Sequence, residues 1–208
     1  MLSPQQAQDL WPLMDISDVV GAAFLPTDGQ ANPSDITQAL ARGARNGGVK
    51  IIEECTVSGI TIKDGRATGV CTNLGDISSD IVVNCGGQWA GEIGRMAGVC
   101  VPLCSVEHQY MITEVIEGVT SDLPTLRDPD RLTYFKEDVG GLVMGGYEPN
   151  PIGWAQDGIP EGFNFTLLDS NWDHFEQLIE QALARVPALE TAGIKTLTNG
   201  PESFTPDG

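Results

Sequence analysis

Histidine is scarce in this sequence: His108 and His174 are the only two in 208 residues. Positive charge is scarce as well, with 11 lysines and arginines against 29 aspartates and glutamates, a formal net charge of -18. No Lys/Arg cluster offsets that acidity, so the surface repels phosphate backbones and anionic lipid. Nucleic-acid binding is not expected. Two histidines without a supporting carboxylate spacing argue against a metal centre, and none is expected. No apolar run approaches the roughly 20 residues that a bilayer crossing requires, so no membrane insertion is expected. The five cysteines, Cys55, Cys71, Cys85, Cys100 and Cys104, form no Cys-x-x-Cys pair. Pro102 lies between the last two and works against a helix presenting both as ligands. Reduced, mostly buried thiols are the expectation. Also missing are the GxGxxG, Walker, HExxH and GxSxG patterns.

What is present reads as α/β followed by α+β. LSPQQAQDLWPLM opens with a short helical piece ending near Pro12, and VVGAAFL after it has strand character. Asn32 can cap a helix that Pro33 begins and Asp35 supports in its first turn; Ile36, Leu40 and Ala44 form its narrow apolar stripe. Gly47 and Gly48 end it. Four strand candidates follow: VKIIE (49–53), TVSGITI (56–62), ATGVCT (67–72) and DIVVNC (80–85), with turns at KDGR and NLGD. DIVVNC is nearly continuously apolar, as a strand covered on both faces would be. From about residue 99 the strands QYMITEVI, TYFKE and GLVMGGYE are spaced by long loops. An amphipathic helix then carries Phe175, Leu178, Ile179, Ala182, Leu183 and Val186 on one face, with Ser170 and Asp173 as its expected capping pair.

Four places can carry chemistry. Gly86 and Gly87, between a buried strand and the helix starting near Trp89, let backbone approach a flat or phosphorylated ligand, or simply form a tight turn. His108 and Tyr110 alternate onto one strand face, where they serve either a shared cavity or an ordinary polar edge. Arg127 can clamp a carboxylate through paired donors or tie down a loop through Asp128 or Asp130; Tyr134 lies nearby in sequence. Tyr147 and Trp154 bracket a proline-stiffened loop that walls a pocket or packs on its sheet. His174, on a surface-type helix, reads as structural.

The phrases PTDGQANPSDITQALARGARNGGVKI, VVNCGGQWAGEIGRMAGVCVPL, VEHQYMITEVIEG, LPTLRDPD, GGYEPNPIGW and GIKTLTNGPESFTPDG, in this order, resemble the sarcosine dehydrogenase and dimethylglycine dehydrogenase family. This is a branch of the D-amino-acid-oxidase-like flavoproteins. GRMAGV and the last two phrases lean toward the sarcosine side. The resemblance implies an interior fragment: a partial Rossmann-like FAD-binding domain with a preceding substrate-domain segment (1–98), a mixed-sheet substrate domain (99–198), and the start of a return to the FAD domain (199–208). It implies FAD as cofactor, with backbone near Val57, Gly86, Gly87 and Trp89, and tetrahydrofolate through a domain outside this chain. His108 and Tyr134 fall where relatives place residues facing flavin and amine, with Tyr110 and Arg127 as substrate-binding candidates. The implied reaction removes a hydride from an N-methyl amino acid, leaving an iminium that water or folate takes up. Electrons then pass to an electron-transfer flavoprotein or another acceptor. The compartment would be cytoplasmic in a bacterium and the mitochondrial matrix in a eukaryote. A chain without the dinucleotide strand is expected to be inactive alone. A catalytically silent, flavoprotein-like regulatory subunit is the non-enzymatic alternative.

Overall fold

The computed structural model describes residues 1–207, which divide into two compact units that alternate along the chain. The first unit takes Met1–Gln30, Val106–Ile152 and Asn164–Pro201; the second takes Ala31–Ser105, Gly153–Phe163 and the chain from Glu202 onward.

The first unit is a sheet under a helix. Its strands β4 (Cys104–Thr113), β5 (Leu126–Asp128), β6 (Thr133–Asp138), β7 (Gly141–Gly146) and β8 (Ile194–Phe204) lie in the order β5-β6-β7-β4-β8. The β5–β6, β6–β7 and β7–β4 pairs are antiparallel. Helix α4 (Trp172–Arg185) covers one face. Its predicted stripe packs as expected: Phe175, Leu178, Ala182 and Val186 are buried with Phe135, Leu142 and Met144 in one core, and Ile179 and Leu183 pack at the margin. Each large side chain removed from water there contributes about 1.5–3 kcal/mol. The cap differs from expectation. Asn171, not Ser170, closes the helix start by accepting the His174 N–H at 3.1 Å, while the Ser170 hydroxyl donates to the Leu197 carbonyl at 2.7 Å. Val186 leaves helical dihedrals because the residue before Pro187 is sterically pushed out of the α region.

Helix α1 (Pro4–Leu10) begins with a capping box between Ser3 and Gln6. It delivers Trp11 into the core, 5.8 Å from the Phe135 ring, with the indole N–H donating to the Pro124 carbonyl at 2.9 Å. The VVGAAFL strand does not form. Only Ala22 makes a bridge, to Leu2, because no second strand runs alongside it.

In the second unit, α2 (Pro33–Asn46) has the expected Asn32 cap, whose side chain accepts from Ser34 and Asp35 N–H at 2.9 and 3.2 Å. The hairpin β1 (Val57–Lys63) and β2 (Arg66–Thr72) turns through Asp64 and Gly65, both at positive φ as a two-residue turn of this hand demands. Strand β3 (Ile77–Ser78) adds to β2, and a 3-10 turn at Gly87–Trp89 leads into α3 (Ala90–Met96). Two predicted strands are corrected here: 49–53 and 80–85 lie outside any strand. Ile52, Ile81 and Val83 are exposed, as are Ile36 and Leu40 on the predicted stripe of α2. A parallel strand exists only through its neighbours, and the described residues supply none beside these segments. The cysteines follow suit: Cys85, Cys100 and Cys104 are exposed and Cys55 and Cys71 half-buried, against the expectation of mostly buried thiols. No helix of the described residues is long and apolar enough to cross a membrane, and no cluster of three metal-binding side chains occurs among them.

In the first unit an ion network gathers around the buried Arg185–Asp128 pair. Arg185 donates from Nε to Asp128 Oδ2 at 2.6 Å, lies 2.9 Å from Asp18 Oδ1, and donates to the Asp15 carbonyl. Burial works to lower the Arg185 pKa, but the bonds to Asp128 and Asp18 outweigh it and raise the value. Arg185→Met should cost about 3–5 kcal/mol in unfolding free energy, because Asp128 is left without its closest cation. Arg131, then Arg185, holds the Asp18 carboxyl below the usual carboxylate range. That contribution is present above the ordinary aspartate pKa and lost as pH falls through the depressed one. Melting temperature against pH should therefore fall less steeply on the acid side in Asp18→Asn than in the parent.

Candidate functional site

The face of the five-stranded sheet that α4 does not cover is the candidate site. Side chains alternate along a strand, so burying Gln109, Met111, Thr133, Phe135 and Met144 toward the core turns His108, Tyr110 and Tyr134 the other way. Cross-strand register does the rest. Arg127 pairs with Tyr134, Tyr134 with Gly145, and Gly145 with Tyr110, so four strands present one row: Arg127, Tyr134, Gly145, Tyr110. Two residues along, His108 and Tyr147 lie beside each other with ring centroids 5.6 Å apart. All three tyrosines of the sequence thus share this face.

Glycine at the centre of the row has a steric reason. A Cβ on Gly145 would come within 2.4 Å of the Tyr134 hydroxyl and 3.1 Å of Tyr110 Cβ, so the hydroxyl end of the Tyr134 ring packs directly on the glycine. Arg127 donates from Nη2 to the Tyr147 hydroxyl at 3.1 Å, and its guanidinium carbon is 5.5 Å from the centre of that ring. His108 Nδ1 is 3.1 Å from Glu148 Oε2, and Glu148 Oε1 accepts the Gln109 N–H at 3.3 Å. The Glu148 side chain is only 3% exposed.

The structure therefore brings together His108, Tyr110, Arg127 and Tyr134, and adds Tyr147, which the sequence offered as a pocket-wall candidate, and Glu148, which it did not single out. Tyr147 was visible only as one end of a loop; Trp154, the other end, packs on Phe163 at 4.5 Å in the second unit. Glu148 gave no signal, since nothing in the sequence links it to a histidine 40 positions earlier. His174 is structural, its Nε2 lying 2.9 Å from the Asn150 carbonyl.

The remaining candidates lie in the second unit. Val57 opens β1 opposite Thr72. Gly86 packs so closely that a Cβ would meet Ile93 Cδ1 at 2.4 Å. Gly87 has φ 54° and open space where a Cβ would stand, so its backbone is approachable. Trp89 is exposed at the end of that turn. The helix it leads into has seven residues.

Comparison with known proteins sets these features in a family. The model of the family described as FAD dependent oxidoreductase matches residues 1–208. Human mitochondrial sarcosine dehydrogenase is 44% identical over 212 residues, taking in all of this chain and 23% of the relative. Mouse mitochondrial pyruvate dehydrogenase phosphatase regulatory subunit is 39% identical over 210 residues, and rat mitochondrial dimethylglycine dehydrogenase 33% over 215. The chain spans about a quarter of the length of these relatives. Among solved structures, L-proline dehydrogenase from P. horikoshii superposes with a TM-score of 0.83 at 30% identity, over 99% of this chain and 53% of that one.

Gly145→Ala tests the geometry of the row directly. Its methyl group should push the Tyr134 ring off the glycine, visible in a crystal structure. Unfolding free energy should fall by about 1–3 kcal/mol, as for other overpacked sites, read from the denaturant midpoint.

Proposed function

The chain belongs to the FAD-dependent oxidoreductases, whose family model spans it from end to end, and on that premise we propose that its parent protein oxidatively demethylates sarcosine. The observation that supports this reading is the shared sheet face: a guanidinium, three tyrosines and a carboxylate-bonded histidine within one cross-strand patch. An N-methyl amino acid needs a cationic anchor for its carboxylate and a group to manage the amine proton. Arg127 supplies the first, presenting planar donors that suit a carboxylate, with Tyr147 holding it by hydroxyl and ring. His108 supplies the second, accepting or holding the amine proton, with the Tyr134 hydroxyl steering it. Tyr110 completes the contact surface.

FAD, when bound, supplies the redox chemistry, taking the hydride that an amine carbon releases. The residues present fit such a group. Within the second unit, the open Gly87 backbone admits close approach. In the second unit, Val57, Gly86, Gly87 and Trp89 are the proposed cofactor contacts. Tetrahydrofolate, an electron-transfer flavoprotein or other acceptor, and a mitochondrial matrix or bacterial cytoplasmic setting belong to the same reading, as does inactivity of this stretch by itself.

Two further readings each rest on a specific similarity. Dimethylglycine, or another N-methyl amino acid, is the alternative substrate, and the 33% identity to dimethylglycine dehydrogenase supports it. A catalytically silent regulatory subunit is the second alternative, supported by 39% identity to the phosphatase regulatory subunit. Anaerobic titration of the complete flavoprotein separates them. Sarcosine should bleach the flavin faster than dimethylglycine does; a reversed order would make dimethylglycine the substrate, and no bleaching by either would favour the silent subunit. Tyr134→Phe or His108→Ala should slow the bleaching about 10²-fold or more. Arg127→Ala should act mainly by raising KM.

A further inference from the structure

Asp128 and Asp130 follow Arg127 closely in sequence, yet neither takes its guanidinium. Asp128 bonds Arg185 at 2.6 Å instead, and no carboxylate among the described residues lies within ion-pair distance of Arg127. The hydrogen bond that holds the group is to Tyr147: Nη2 donates to the hydroxyl at 3.1 Å, with the guanidinium carbon 5.5 Å from the ring centre. A guanidinium has five N–H donors, so a carboxylate can be bound without giving up that bond. Arg127 does not fix its own position. It stands on β5, a three-residue strand at the sheet edge, at the end of a long side chain with several rotating bonds. Tyr147 is braced. Its N–H donates to the Leu132 carbonyl at 2.9 Å, and its ring centre lies 5.6 Å from that of His108. One ring therefore meets both the anion anchor and the histidine that handles the amine. We propose that Tyr147 is a specificity-determining residue, holding the guanidinium at a set reach from His108 and so selecting the spacing between amine and carboxylate in the N-methyl amino acid. This deepens the functional reading above and rests on it. A substrate of matched spacing binds while Arg127 stays on Tyr147; a shorter or longer one has to draw Arg127 away and forfeits that bond. Tyr147 is thus a positioning residue that acts through Arg127.

The complete flavoprotein would be titrated calorimetrically with methoxyacetate and with 4-methoxybutanoate. In both carboxylates an ether oxygen stands in for the amine, and they differ by two methylenes, so spacing is read from binding without turnover. The parent should bind one of the two more tightly. Tyr147→Phe keeps the ring and removes the acceptor, and should narrow that preference about 3- to 10-fold, the worth of one hydrogen bond. Tyr147 is 42% exposed, so the change leaves the core intact. When Arg127→Met is already present, adding Tyr147→Phe should leave the preference as it was, because a residue that acts only through Arg127 has nothing left to act on. Equal affinity of the parent for the two ethers, or an unchanged preference in Tyr147→Phe, overturns the proposal. The same narrowing with Arg127→Met in place overturns it too, as does a parent that binds neither ether. If the ethers behave as expected but no N-methyl amino acid bleaches the flavin, the functional reading fails and the set reach of Arg127 stands.

Discussion

Everything on the open sheet face follows from what α4 buries on the other. Phe175, Leu178, Ala182 and Val186 need an apolar surface, and Phe135, Leu142 and Met144 provide it. Because a strand alternates faces residue by residue, the core positions of β4, β6 and β7 dictate which neighbours turn away. A one-residue slip of β6 would bury Tyr134 and expose Phe135. The hydrophobic contact thus sets the register of the polar row as firmly as it sets the core, although no member of that row is apolar enough to contribute much to it.

The parts of the fold legible in the sequence are those whose signal is local. The α4 stripe, the Asn32 cap, the Ser3–Gln6 helix start and the Asp64–Gly65 turn each depend on residues within a few positions, and each forms. The cap of α4 was misjudged because Ser170 and Asn171 are both good caps, and a tertiary partner, the Leu197 carbonyl, claims the serine. Segments 49–53 and 80–85 failed for the opposite reason. Their composition suits a buried parallel strand, but composition cannot provide the flanking strand on which that state depends.

Site residues divide in the same way. His108 and Tyr110 could be placed together from period-two alternation alone. Arg127 and Tyr134 became neighbours of that pair only through the β5–β6–β7–β4 register, which residue spacing does not encode. Glu148 was invisible: it lies two residues past the end of β7, precedes a proline, and meets its histidine only after the chain has folded back over 40 positions. Long-range electrostatic partners of this kind leave no mark in a local window.

Tyr147 ties the two halves of the patch together. Its hydroxyl accepts from Arg127 and its ring lies against His108, so the guanidinium and the imidazole are two contacts apart. Groups linked through a shared partner do not contribute independently. A substrate carboxylate drawn to Arg127 competes for the donor now given to Tyr147, and any shift of that ring is felt at His108. Glu148 opposes such a shift, since it anchors His108 through a bond that does not involve Tyr147. The arrangement lets the anion anchor adjust while the proton-handling nitrogen keeps its place. Binding energy can then be used to orient the amine without disturbing the group that must act on it.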